Sequence, residues 1–344
     1  MNTDNAEEYV EDFNDEYVCD NLKFMVAAQE GCLAVISECL SAGQDVDSRD
    51  YMFDETALMR ACRYGHIDTI KYLLENGADI NATTSEGSSA LHVAVLLQHP
   101  HCLEFLLSCK SIKKDVQDSR GNTPLMVAAE RGFARFVQLL LTRGCNPNIA
   151  NAVGRTAIHF SLMPYQGIIG NRDGCTCLRI LVEHGANINA VDQNGMTPVH
   201  CAVQRGNKWA LYFLVCENCN LQKVYHAWTV DTRQEFGVDL PATPLVMAVY
   251  YLNEYMVTLL YHCGCDMLLS AQMLPYASKS PPLYNILLAA GTSPRNLKDA
   301  CKFVIRAVLG IGVQTKVNSL QIPDCLRSIL RLTDLQVPGN KIHE

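Results

Sequence analysis

The sequence lacks several things at once. None of its apolar runs approaches the roughly 18 to 20 residues that a membrane-crossing helix needs, and its mean hydropathy is +0.02. Its first 20 residues hold eight carboxylates (Asp4, Glu7, Glu8, Glu11, Asp12, Asp15, Glu16 and Asp20) and no lysine or arginine. A secretion signal needs the reverse, a basic start followed by an apolar stretch, so the reading is cytoplasmic, with the nucleus also open to the chain. Basic excess is missing too. Lys and Arg total 28 against 36 Asp and Glu, and the residues beyond 20 balance at 28 of each. Tracking a phosphate backbone needs a basic face, so nucleic acid is excluded as a ligand class. The nucleophile elbow, the HExxH zinc motif and the glycine-rich phosphate and dinucleotide loops are all absent, which argues against an enzyme and calls for no cofactor.

Sixteen cysteines in 344 residues are too sparse and scattered for a disulfide framework. Most fall in apolar helical patterns, where a thiol acts as a small hydrophobe. Cys216-x-x-Cys219, with Cys263-x-Cys265 further on, has no second ligand pair at zinc spacing, so no metal is expected.

What is present is repetition. A short Thr- or Ser-led segment recurs as Thr56-Ala-Leu58, Ser89-Ala-Leu-His92, Thr123-Pro-Leu125, Thr156-Ala-Ile-His159, Thr197-Pro-Val-His200 and Thr243-Pro-Leu245, at steps of 33, 34, 33, 41 and 46 residues. Thr before Pro is an N-cap followed by a favoured first helical residue. Two helix-length apolar patterns follow each segment, and Gly77, Gly144, Gly185 and Gly264 sit where a left-handed residue ends the second. Pairs such as Leu73-Leu74, Leu106-Leu107 and Leu140-Leu141 fall on the buried side. One such unit cannot cover its own apolar face, so neighbours must stack.

These segments resemble the ankyrin repeat. The resemblance implies an all-α solenoid over 22–294, with about seven repeats and a partial one near 282–294 holding only a second helix. It also implies that His92, His159 and His200 make structural hydrogen bonds to the next repeat. Residues 1–21 read as a solvated acidic tail. The step of 41 carries extra residues around Ser161–Cys175, between two helices. The step of 46 carries an insertion within Leu221–Leu240 whose Tyr225, Trp228 and Phe236 either meet a partner or are buried by the loop itself.

Past Pro294 the repeat stops. Leu297, Cys301, Val304, Ile305 and Val308 draw one stripe along a helix. The segment 295–344 resembles a SOCS box, the helical module that recruits elongins B and C and a cullin. Leu297, Cys301, Val304 and Ile305 match its elongin-binding stripe, although Asn296 stands where Ser, Thr or Pro is usual. Leu320, Ile322 and Pro323 match its cullin-binding motif, with Gln321 in place of a proline. The resemblance implies a non-catalytic adaptor: the target-recognition subunit of a ubiquitin ligase built on elongin B/C, cullin-5 and a RING-box subunit. A second reading is a scaffold whose C-terminal helices only cap the array. Repeat tips and first helices would supply the target contacts, with Tyr51, Phe53, Arg60, Arg63, Tyr64, Arg120, Arg131, Arg155, Tyr165, Arg205 and Trp228 as candidates. Rich in arginine and tyrosine, that set suits an acidic or mixed epitope.

Overall fold

A computed structural model describes residues 15–163, 172–227, 230–263, 265 and 270–292. The chain divides into two compact units, Met1–Ala128 with Thr142–Cys145, and Ala129–Leu141 with Asn146–Glu344.

The first unit holds α1 (Asp15–Glu30), α2 (Leu33–Ser41), α3 (Ala57–Tyr64), α4 (Ile67–Glu75), α5 (Ala90–Leu96), α6 (Pro100–Ser108) and most of α7 (Pro124–Glu130). Odd-numbered helices lie side by side, α1 on α3 and α3 on α5, and each packs on its own even-numbered partner. The starts follow from capping: the Thr56 hydroxyl accepts the Met59 amide at 3.4 Å, fixing where α3 begins. Leu58, Met59, Ile70, Leu73, Leu91, Leu103 and Leu106 are fully buried between layers, while Leu74 is only half-buried. α1 takes in part of the expected acidic tail. Asn21 is buried, and its amide donates to the Arg49 carbonyl at 2.9 Å while its oxygen accepts from Ser48 at 3.0 Å. A side chain tied in this way belongs to the first repeat, so residues 15–21 are helix rather than tail.

The second unit holds most of α8 (Ala134–Thr142), then α9 (Ala157–Ser161), α10 (Arg172–Glu183), α11 (Pro198–Gln204), α12 (Lys208–Cys216), α13 (Thr232–Phe236), α14 (Pro244–Tyr250), α15 (Glu254–His262), α16 (Ser270–Ala277) and α17 (Pro281–Thr292). The same two-layer pairing recurs as α9 with α10, α11 with α12, and α14 with α15. Gly185, at φ +86°, ends α10 and lets the Ala186 amide reach back to the Leu181 carbonyl at 2.9 Å. The last unit differs from expectation, because α16 precedes and packs on α17, so it has a first helix as well as a second.

The insertion between α12 and α14 carries a helix of its own. Asp231 caps α13 by accepting the Gln234 amide at 3.1 Å. Phe236 is buried, its ring 4.6 Å from that of Tyr276, and the Tyr276 hydroxyl donates to the Tyr250 carbonyl at 3.0 Å. Lys279 closes the cluster, 3.7 Å above the Tyr276 ring and 3.5 Å from Glu235. Tyr225 lies along the loop with its ring 6.0 Å from His200. Phe236 of the insertion is thus buried against Tyr250 of α14 and Tyr276 of α16. No described helix is long and apolar enough to cross a membrane.

Candidate functional site

The histidines of the recurring segments come first, because they fix everything around them. In α11 the Thr197 amide donates to Nδ1 of His200 at 3.2 Å, completing a capping box in which His stands where Glu is usual. The other ring nitrogen, Nε2, then carries the proton and donates to the Lys223 carbonyl at 3.1 Å, one repeat on. His159 does the same between Thr156 and Met196, and His92 between Ser89 and Asn122. All three rings are therefore neutral and structural. Burial pushes the pKa of each down, that of His200 to about 4.

A backbone device shapes each tip. Two residues before the capping Thr or Ser, Gly87, Gly121, Gly154 and Gly195 all have positive φ. A Cβ on Gly154 would come within 2.8 Å of the Gln193 amide, so that slot has no room for a side chain. The equivalent of these glycines at the first tip is Asp54, held at φ +55°. Its carboxylate accepts from Arg49 Nη1 at 2.8 Å and from the Ser85 amide at 2.7 Å, which fastens one tip to the next.

Arginines then meet carboxylates. Arg60 donates through Nε to Asp50 at 2.8 Å and lies 3.5 Å from Glu55, while Arg63 forks onto both Glu55 oxygens. Glu55 is 3% exposed and Asp50 8%. Burial alone would raise the Asp50 pKa, but hydrogen bonds from the Phe53 amide and Arg60 outweigh it and hold the carboxyl below its ordinary range. In the second unit Arg155 donates to Asp192 at 3.2 Å, and Asp192 is 1% exposed on its side chain.

The structure thus gathers Tyr51, Phe53, Arg60, Arg63 and Tyr64 around one tip and helix of the first unit, with Tyr51, Phe53 and Tyr64 exposed. Arg120 and Arg205 are exposed at a tip and a helix end, and Arg131 is half-buried. Tyr165 and Trp228 fall outside the described residues, as do Leu297, Cys301, Val304, Ile305, Leu320, Ile322 and Pro323. The sequence reading missed the acids that occupy the arginines (Asp50, Glu55, Asp192) and the exposed Met52, Leu96 and Leu97. Among the described residues no set of three or more His, Cys, Asp or Glu is placed to hold a metal. Burial raises the Cys219 thiol well above its ordinary pKa, so that thiol stays protonated.

Stacked helix pairs with capped first helices, ring-to-carbonyl bonds between repeats and side chains presented from tips define a repeat protein built for contact with other proteins. A family model for ankyrin repeats in three copies matches residues 24–118, 109–169 and 125–225, and the chain belongs to the ankyrin-repeat family. Along 89% of its length the chain is similar to ankyrin repeat and SOCS box protein 16 of mouse, 26% identical over 332 residues that cover 73% of that protein. The human counterpart is 25% identical over the same extent. Protein glp-1 of Caenorhabditis elegans is 31% identical over 53% of this chain and 14% of its own. Among solved structures, an ankyrin repeat domain from Acinetobacter baumannii superposes with a TM-score of 0.51 at 29% identity, covering 57% of this chain and 98% of that one.

Proposed function

We propose that this protein is the substrate-recognition subunit of an elongin B/C–cullin-5 RING ubiquitin ligase. The ankyrin repeats hold a target protein, and the segment 295–344 docks on the ligase core. The observation that carries the reading is the pairing of two features in one chain. The stripe Leu297, Cys301, Val304 and Ile305 is followed by Leu320, Ile322 and Pro323. The same chain is similar, over 89% of its length, to proteins named for both ankyrin repeats and a SOCS box. The part left outside that match is shorter than 295–344, so the similarity reaches into the segment that bears the motifs.

An apolar helical stripe suits a hydrophobic groove on elongin C, with Leu297 as anchor and Cys301 as a small apolar residue. The protein contributes no bond-making step. It holds a target lysine near the ubiquitin carrier and makes their encounter effectively intramolecular, which is where rate acceleration by an adaptor arises.

The test is co-expression with elongins B and C, followed by affinity capture and gel filtration. Wild type is expected to co-elute at equal stoichiometry, and Leu297→Asp or Cys301→Arg to abolish this while the chain stays folded. Gln321→Pro is expected to strengthen subsequent capture of cullin-5. A folded wild type that elutes alone would leave an ankyrin adaptor with no ligase role.

A further inference from the structure

The first unit carries a surface that its arginines do not explain. Tyr51, Met52 and Phe53 are consecutive at the first tip and are 69%, 80% and 54% exposed. The corresponding tips are Ser85-Glu86, Ser119-Arg120, Ala152-Val153 and Gln193-Asn194, small or polar apart from one exposed Val153. Large apolar side chains left in water at a turn gain nothing for folding, since a turn needs only the backbone geometry that the other tips achieve without them.

The tip is also held rigidly. Asp50 Oδ1 accepts the amides of Met52 at 3.1 Å and Phe53 at 2.6 Å. Asp54, in its left-handed conformation, is fastened to Arg49 and Ser85, and Arg49 also reaches the Thr83 carbonyl at 2.7 Å. The guanidiniums of Arg60 and Arg63 sit 5.7 and 5.4 Å from the Phe53 ring centroid, which sets the ring over the ion-paired network. Apolar exposure continues along the helix ends. Tyr64, at the end of α3, and Leu96 and Leu97, at the end of α5, are all exposed. These ends are in register, because His99 donates from Nε2 to the Arg63 carbonyl at 2.8 Å.

Charge decides what such a surface fits. Arg49, Arg60 and Arg63 face Asp50, Asp54 and Glu55, three against three, all within ion-pair distance. The rim therefore has no net charge with which to attract an acidic segment, and stripping Arg60 from Asp50 or Arg63 from Glu55 would leave a carboxylate that is at most 8% exposed without its partner. We infer that the surface formed by Tyr51, Met52, Phe53, Tyr64, Leu96 and Leu97 is the target-docking site, and that it takes an uncharged protein segment with apolar anchor side chains. This differs from the acidic or mixed epitope that the arginines suggest in sequence. The inference deepens the reading of the ankyrin repeats as the target-binding part and does not use the C-terminal segment.

The probe is a phage-displayed library of random linear peptides. It is panned on the full-length chain and counter-selected on a Tyr51→Ser/Phe53→Ser variant whose melting curve matches wild type. Recovered peptides are expected to have near-zero net charge and spaced Leu, Ile, Phe or Trp residues. Their affinity should fall about tenfold or more in the variant, with a smaller loss in Met52→Ser or Leu97→Ser. Affinity should also change little between about 50 and 500 mM salt, since no ion pairs form on binding. Three results would each overturn the inference: acidic peptides whose binding collapses with salt, peptides that bind the variant as tightly as wild type, or no enrichment at all. Elongin capture is measured separately on the same variants and is expected to be intact, so either reading can fail without the other.

Discussion

The tips at 50–54 and 192–195 solve one backbone problem with different chemistry. In both, a buried aspartate accepts two amides of its own turn: Asp50 those of Met52 and Phe53, Asp192 those of Asn194 and Met196, the latter pair at 2.9 Å. In both, an arginine neutralises that aspartate, Arg60 from the helix that follows the tip and Arg155 from the preceding repeat. They part at the left-handed residue, Gly195 in one and Asp54 in the other. They part again in what they carry, polar Gln193-Asn194 against apolar Tyr51-Met52-Phe53. The turn is therefore structural equipment common to both units, and what differs between tips is free for recognition. Arginine alone is a poor guide to a binding surface, because Arg60 and Arg155 are taken up in holding the turn.

The comparison can be broken most severely at the shared aspartates. Asp192→Ala would leave two amides and a guanidinium without their acceptor, at a cost of about 3 to 5 kcal/mol in urea unfolding. Asp50→Ala should cost somewhat less, since that side chain is the more exposed of the two. Equal, negligible losses at both would show the turns to be held by the backbone alone. The insertion is the next target. Phe236→Ala empties the contact with Tyr276 and should cost about 3 kcal/mol in the same measurement, while Arg233→Ala, at an ion pair 73% and 69% exposed, should be close to silent.

Acid acts through the histidines. In the unfolded chain a histidine takes its proton near pH 6.5, whereas burial holds His200 neutral down to about 4. The unfolded state then binds more protons within this window. Stability contributed by the buried ring is complete above pH 6.5 and is lost as pH falls towards about 4, at up to about 1.4 kcal/mol per pH unit. His200→Gln should flatten that slope, and a slope unchanged in the variant would place the acid sensitivity elsewhere. The smallest effect sharpens the contrast between tips. Asp54→Gly removes the backbone strain but also the bonds to Arg49 and Ser85, so stability should move by no more than about 1 kcal/mol.

Much of this was legible in the sequence because the repeat is a local code. Thr56, Thr197 and Thr243 mark helix starts, Gly185 marks a stop, and the resemblance to the ankyrin repeat gives His92, His159 and His200 their bridging role. Ion pairing was not legible. Arg155 and Asp192 are 37 residues apart and meet only because one repeat is laid on the next, so a list of arginines reads as a basic surface although the fold pairs Arg60, Arg63 and Arg155 with acids. Asn21 and α16 escape a local reading for a related reason: Asn21 is tied to Ser48 and Arg49, and α16 packs on α13, α14 and α17. The exposed Leu96 and Leu97 sit inside a helical pattern that looks like core until the end of α5 is placed.

The most direct measurement is ubiquitin transfer in a reconstituted system containing this chain, elongins B and C, cullin-5 with its RING-box subunit, and a lysine-bearing reporter fused to a peptide selected on the 51–53 tip. Conjugation to the reporter is expected with wild type, and its loss both in Leu297→Asp, where the ligase cannot assemble, and in Tyr51→Ser/Phe53→Ser, where the reporter cannot dock. Conjugation that proceeds equally without the chain, or with Leu297→Asp in its place, would contradict the receptor reading.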